Sequence, residues 1–304
     1  AAVELAAAVD APVTLEVPPT LIAEETTTPE AADRLTAALV DDDGSVYYFW
    51  GQFQLRGARM NDDLRSIDES TLTKEILTEA EHGFHEGACI RERNGVYYLV
   101  YTDISRGKAT SMGYATSDTP LGPYEKRGII IDNMGCDPET WNDHGSIEEF
   151  NGQWYVFYHR SSHGSKFSRR VCVEPITFND DGSIDEVEMT TQGASGPLPA
   201  TQKIDAYRAC LLSGKVRTAS IPRQREDDEY VERLTSIDDG DWAAYKFIDF
   251  GEGVQGFAAT VGSLAVGSRI DVRIDSHDGP LVCTCDIPTT GGWNVWQQAQ
   301  ASLQ

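Results

Sequence analysis

Three stretches of this chain repeat one design: DDGSVYYFWG at 42–51, RNGVYYLVYT at 93–102 and FNGQWYVFYH at 150–159. Each is a polar turn closed by glycine, followed by an alternating run of aromatic and β-branched residues. Glycine supplies the positive φ that a tight hairpin requires, and the run after it reads as a strand. The turn glycines Gly44, Gly95 and Gly152 stand 51 and 57 residues apart. A period of about 50 residues with several short strands per unit is the size of a propeller blade; leucine-rich and helical repeats are shorter, and the helical ones carry a 3.6-residue period that is absent here. A β-sandwich of similar strand length is the competing architecture. A further hairpin, EPITFNDDGSIDEVEM (174–189), closes this region.

The flanks differ from the repeat. Residues 1–34, with the Pro-, Thr- and Glu-rich APVTLEVPPTLIAEETTTPEAADR, read as a lead-in or linker. AAVELAAAVDAP carries Glu4 and Asp10 and no basic n-region, so it does not read as a secretory signal, and the compartment stays open. TQGASGPLPATQ (191–202) reads as a second linker, after which DWAAYKFIDFG (241–251), GFAATVGS (256–263), SRIDVRIDS (268–276) and LVCTCDIP (281–288) give short strands between Gly and Asp turns, the pattern of a small sandwich. The expected division is therefore a lead-in at 1–34, a propeller-like unit at 35–198 and a β-sandwich at 203–304.

A net charge of −24, from 25 Lys and Arg against 49 Asp and Glu, argues against nucleic acid and anionic membrane surfaces as partners, because counterion release needs clustered cations. No apolar run approaches the roughly 18–20 residues that span a bilayer. A hydrophobic content of 40% rules out a disordered chain. None of the six cysteines, Cys89, Cys136, Cys172, Cys210, Cys283 and Cys285, sits in CxxC spacing, which removes a zinc ribbon or redox motif. Cys283 and Cys285 share a strand face and read as small buried hydrophobes.

Three segments carry candidate chemistry. HGFHEGACIRERNG (82–95) sets Glu86 at a strand start, where apolar neighbours suit a carboxylate to general-acid work. His82 and His85 lack the HExxH order of a zinc pair. NDHGSIEEFNG (142–152) puts His144 on a glycine turn, and RSSHGSKFSRRVCVEPI (160–176) places Arg169 and Arg170 so that one of them must point inward by alternation. The acidic turns DDDG (41–44), NDDG (179–182) and DDGD (238–241) are hairpin turns rather than calcium loops, since the EF-hand spacing is missing.

Taken in order, HEGACIRERNGVYYLVYTD, GYATSDTPLGPYE (113–125) and NDHGSIEEFNGQWYVFYHR resemble glycoside hydrolase family 43 over about residues 36–190. The resemblance implies an all-β fold built on a five-bladed β-propeller, and inverting hydrolysis of arabinosides, xylosides or galactosides. It implies Glu86 as the catalytic general acid, and His144 at the channel centre, where the family often places a metal or a water cluster. Arg169 or Arg170 would be the substrate-contacting arginine. No cofactor is required, with Ca2+ near His144, through water, as the one ion the resemblance allows. GDWAAYKFIDFG, SRIDVRIDS and TGGWNVW (290–296) resemble a family 6 carbohydrate-binding module of β-sandwich (jelly-roll) form, which implies sugar stacking on Trp293 and leaves Trp296 to the core.

The chain departs from the family in several respects. Inversion needs a base aspartate from the first blade, and no segment before residue 36 carries its context; where a third, acid-tuning aspartate belongs the sequence has Leu35, with Asp33 two residues off register. Both units are thus expected to be partial, the propeller without its N-terminal blades and the module without its last strands. The expected function is an α-L-arabinofuranosidase or β-D-xylosidase type hydrolase acting on plant-type polysaccharides or oligosaccharides. The alternative is a non-catalytic carbohydrate-binding protein that uses the propeller channel and Trp293.

Overall fold

The computed structural model describes residues 2–4, 36–221 and 231–303. Most of the expected lead-in, with Asp33 and Leu35, lies outside them. Its described part, β1 (Ala2–Glu4), is a strand.

Three antiparallel sheets follow in chain order. The first is β2 (Thr36–Val40), β3 (Val46–Trp50), β4 (Gln54–Arg59) and β5 (Thr73–Thr78). One helical turn, α1 (Glu79–His82), leads into the second sheet, made of β6 (Phe84–Arg93), β7 (Val96–Asp103), β8 (Ser111–Ser117) and β9 (Glu125–Asp132). The third is β10 (Ser146–Phe150), β11 (Gln153–Ser162) and β12 (Ser165–Ile176). Strands are joined in order within each sheet, as in consecutive propeller blades. The turns are the ones the sequence calls for. Asn94-Gly95 and Asn151-Gly152 are two-residue loops with both residues at positive φ, and Arg93 faces Val96 while Phe150 faces Gln153 across them. That is the type I′ geometry whose twist matches the flanking strands.

The repeated strand β7 is apolar on both faces because the middle sheet is buried on both sides. Along β7, Leu99 and Tyr101 pack with Leu39, Phe49 and Leu77 of the first sheet, while Tyr98 and Val100 pack with Ile147, Val156 and Tyr158 of the third. Tyr98, Leu99, Val100 and Tyr101 are each at most 1% exposed, and burying each such side chain contributes ~1.5–3 kcal/mol. The 174–189 hairpin closes over this core, with the Tyr98 hydroxyl donating to the Gly182 carbonyl at 2.9 Å.

The second β-rich half holds β13 (Leu198–Pro199), β14 (Leu211–Leu212), β15 (Arg217–Ser220), β16 (Glu232–Thr235), β17 (Ala243–Ala244), β18 (Ile248–Asp249), β19 (Gly256–Gly262), β20 (Ser268–Arg273), β21 (Leu281–Ile287) and β22 (Gln297–Ser302). A five-stranded sheet in the order β15-β16-β1-β19-β22 lies with the β20-β21 pair, and Cys285 and Ile287 join Ala259, Val261 and Ala299 in one core. Cys283 and Cys285 are buried free thiols, as alternation predicts. Two expectations are corrected here. DWAAYKFIDFG is not a sandwich strand: it forms the short β17 and β18, which pair with β14 and β13. TQGASGPLPATQ is accordingly not a free linker, since Leu198 and Pro199 pair with Ile248 and Asp249 and the Gln192 N–H donates to the Lys246 carbonyl at 3.0 Å.

Candidate active site

Glu86 lies where β6 is irregular. The register to β7 shifts on both sides of it, and Gly87 follows at φ 67°. A Cβ at Gly87 would stand 2.6 Å from the Cβ of His144, so only glycine lets the acid strand and the 142–145 turn approach this closely. Gly145 allows a separate close approach, to β11 of its own sheet, its missing Cβ lying 1.8 Å from the Phe157 carbonyl oxygen. The HEG and NDHG motifs are therefore two halves of one contact.

The half-buried Glu86 carboxyl is gripped by two side-chain amides. Gln52 Nε2, on the β3–β4 loop, donates to Oε2 at 2.9 Å, and Asn142 Nδ2 donates to Oε1. Asn142 is itself oriented: its Oδ1 accepts from the Thr102 hydroxyl at 2.8 Å, which turns the NH2 toward Glu86. Its carbonyl accepts from Asn133 Nδ2 at 3.2 Å, and the same NH2 group also bonds the His159 carbonyl at 2.9 Å. Glu86 thus has a fixed carboxyl on a rigid framework, the condition a positioned proton donor must meet.

Around this group sits a set of buried polar atoms. His144 and His159 meet edge to face with ring centroids 5.1 Å apart. Burial lowers the pKa of both imidazoles, and the nearby Arg169 charge lowers both further; His159, also opposed by His144, is brought to about 3. Both rings are neutral at pH 7. Burial pushes the Asp143 carboxyl well above its ordinary value; it accepts the His159 backbone N–H at 3.2 Å. Both ring nitrogens of His159, Asp143 Oδ2, Asn133 Oδ1 and Ser161 Oγ have no hydrogen-bond partner among the described residues, the condition that ordered water or ligand hydroxyls satisfy in protein interiors.

The two arginines part company. Arg169 pairs with Ser161 and Arg170 with Arg160 across β11–β12, so Arg169 shares the His159 face and Arg170 takes the opposite one. Arg169 is exposed. Arg170 pairs with Glu232, donates to the Tyr207 carbonyl at 3.2 Å and lies 4.7 Å over the Tyr207 ring. Trp293 belongs to the loop before β22 and is 50% exposed, with its carbonyl facing Arg233; Trp296 is half-buried under the same guanidinium. His82 is structural: its Nδ1 accepts the Thr78 N–H at 3.1 Å, and its Nε2 faces the Tyr124 carbonyl at 3.3 Å. Sequence reasoning missed Gln52, Thr102 and Asn142; the signal available was only that Gln52 follows a strand-ending Trp-Gly and that Asn142 opens the NDHG turn.

The donor set does not fit a directly held Ca2+. Calcium takes ~6–8 oxygen ligands, whereas His144 and His159 offer neutral imidazole nitrogen, and no three His, Cys, Asp or Glu side chains converge among the described residues.

A sequence profile of glycosyl hydrolases family 43 matches residues 31–184, and one of the family 6 carbohydrate-binding module matches residues 218–304. A xylosidase/arabinosidase of Thermoclostridium stercorarium is 33% identical over 249 residues, covering 73% of this chain and 51% of its own. An arabinoxylan arabinofuranohydrolase of Bacillus subtilis (strain 168) is 30% identical over 304 residues, covering 88% and 57%. The crystal structure of a family 43 arabinoxylan arabinofuranohydrolase from Bacillus subtilis, in complex with cellotetraose, aligns at 28% identity with a TM-score of 0.46, covering 88% of this chain and 60% of that one. The chain spans about half the length of the curated relatives it matches.

Proposed function

This chain belongs to glycosyl hydrolase family 43, and from that premise we propose that it is the acid-bearing part of an inverting glycosidase that removes arabinofuranosyl or xylosyl units from plant-type polysaccharides or oligosaccharides. Residues 35–198 form the catalytic unit and residues 203–304 a carbohydrate-binding one. The observation that carries the reading is the Glu86 carboxyl held between Gln52 and Asn142, with Arg169 and two neutral imidazoles on the adjoining sheet.

The chemistry follows from those groups. Glu86 in its acid form gives its proton to the departing glycosidic oxygen as the C–O bond breaks, while Gln52 and Asn142 keep the carboxyl from rotating away. Arg169 donates to hydroxyls of the sugar being cleaved, and the imidazole N–H groups of His144 and His159 add neutral donors that bring no charge to the oxocarbenium-like transition state. Water attacks the opposite face of the sugar, activated by a carboxylate ~6.5–9.5 Å from the acid, as inversion requires. Asp143 does not suit that task, being 0% exposed and held by the His159 backbone. The base is therefore a carboxylate other than Asp143.

Release of aryl α-L-arabinofuranoside and aryl β-D-xyloside, each with good and poor leaving groups, tests this. Glu86→Gln should slow the poor leaving groups by ~10²–10⁴ and the good ones far less, because only the former need a proton. Equal loss on both counts against the acid role. If a folded chain releases nothing and sugars still raise its melting temperature, with that rise abolished by Trp293→Ala, the non-catalytic reading takes its place.

A further inference from the structure

Thr102 stands directly across the β6–β7 ladder from Glu86, yet it reaches the acid through a third segment. Its hydroxyl donates to Asn142 Oδ1 at 2.8 Å, and Asn142 Nδ2 donates to Glu86 Oε1. Thr102 is 0% exposed and Asn142 5%, so bulk water does not compete for either group. The Asn142 backbone is fixed as well. It holds φ 69°, a left-handed conformation that asparagine tolerates, and Asn133 Nδ2 ties its carbonyl at 3.2 Å. The backbone leaves one thing open, which end of the side-chain amide faces the carboxyl.

The Thr102 hydroxyl decides it. A hydroxyl carries one proton, and Asn142 Oδ1 is the acceptor it finds among the described residues. Turning the amide over would leave that buried proton without an acceptor and set Oδ1 against a carboxylate oxygen, lone pair to lone pair. His144 Nδ1 lies 3.4 Å from the same Oδ1, too far to orient the amide by itself. Gln52, the amide on the other carboxyl oxygen, makes no second side-chain hydrogen bond among the described residues. Of the two amides that hold Glu86, Asn142 is therefore the one whose direction is built in.

We propose that Thr102 is a positioning residue for proton transfer, keeping Asn142 turned NH2-first against Glu86. The proposal rests on the reading of Glu86 as proton donor. When the Glu86 O–H bond breaks, the proton goes to the glycosidic oxygen and the electron pair stays on the carboxyl, which gains a full negative charge. A donor already aimed at Oε1 meets that charge without reorganisation, and a hydrogen bond to the charged form favours that form. An amide turned the other way would oppose the same step. Thr102 acts only through Asn142 and supplies no proton to the substrate.

The test uses the full chain with aryl β-D-xylosides and aryl α-L-arabinofuranosides of graded leaving-group ability. Thr102→Val keeps the branched shape and loses the hydroxyl proton; it should lower kcat on poor leaving groups ~10–10²-fold, with KM held within about twofold. Thr102→Ser should restore most of kcat, and Thr102→Cys, a weak donor, should fall between the two. The Asn142 side-chain amide is followed in parallel by NMR, which needs no turnover. Its carboxylate-bonded proton should lie downfield in the unmodified chain and in Thr102→Ser, and should move upfield in Thr102→Val and in Glu86→Gln. An amide signal that Thr102→Val leaves in place overturns the proposal, as does a loss of kcat that Thr102→Ser shares in full or a loss confined to KM. Release that survives Glu86→Gln, while the amide signal still follows the Thr102 hydroxyl, overturns the acid reading alone.

Discussion

On β12 the pleat sends two identical side chains to opposite ends of the molecule's business. Arg169, exposed and on the His159 face, is free to meet a ligand; Arg170 is bound to Glu232 and Tyr207. Arg169→Ala should therefore cost ~10²-fold in kcat/KM on aryl glycosides with the melting temperature held within a degree or two. Arg169→Lys should recover little, because a point charge cannot reproduce a planar two-pronged donor. A melting temperature that falls together with activity would show Arg169 to be structural. The choice between the two arginines was not legible from alternation, because the β11–β12 register shifts at Ser161/Ser162, so counting back from the hairpin tip misleads. Glu86 and His144 were legible because each sits in a glycine motif whose spacing is fixed by close backbone approach. Gln52, Thr102 and Asn142 were not, since an amide that reaches a carboxylate across sheets carries no sequence spacing of its own.

Elements formed where local and tertiary signals agreed. The Asn-Gly hairpins of the second and third sheets require positive φ at both turn positions, and β7 is apolar on both faces over Tyr98–Tyr101 because the middle sheet packs on both sides. DWAAYKFIDFG misled because its apolar run looks like one strand, whereas its partners are two short pieces of the preceding segment, β14 and β13. Local pattern reports burial, not which neighbour provides it. Glycines separate these two kinds of information. Gly95 has open space around it, so Gly95→Ala meets only the left-handed backbone penalty of ~1 kcal/mol. Gly87→Ala adds a collision with the His144 side chain and should cost ~2–4 kcal/mol. Urea unfolding of both variants measures the difference. Equal losses would mean that the 142–145 turn yields freely and that the close approach of the two motifs is not an energetic constraint.

At the scale of the whole chain, arginines and backbone pairing stitch the blade sheets to the second β-rich half. Arg160 donates to the Ala209 and Thr190 carbonyls, Arg208 to the Thr191 carbonyl, and Arg170 joins Glu232 of β16. The Glu232 side chain is 8% exposed and also has His163 at 3.3 Å, so this buried carboxylate is held by partners from the third sheet. Such a junction makes the two halves unfold as one unit, and calorimetry of the unmodified chain should give a single transition. Arg170→Ala strands a buried carboxylate, a loss of ~3–5 kcal/mol for a broken buried pair, and should lower that transition or divide it in two. The double variant Arg170→Met with Glu232→Leu removes both charges and should recover most of the loss, because a desolvated ion pair is worth little more than well-packed apolar groups. Two well-separated transitions in the unmodified chain would sink the idea of a coupled junction. A single transition that Arg170→Ala leaves unmoved would place the coupling in the β13–β18 and β14–β17 pairing instead, where the segment carrying β13 and β14 holds the second half by its backbone.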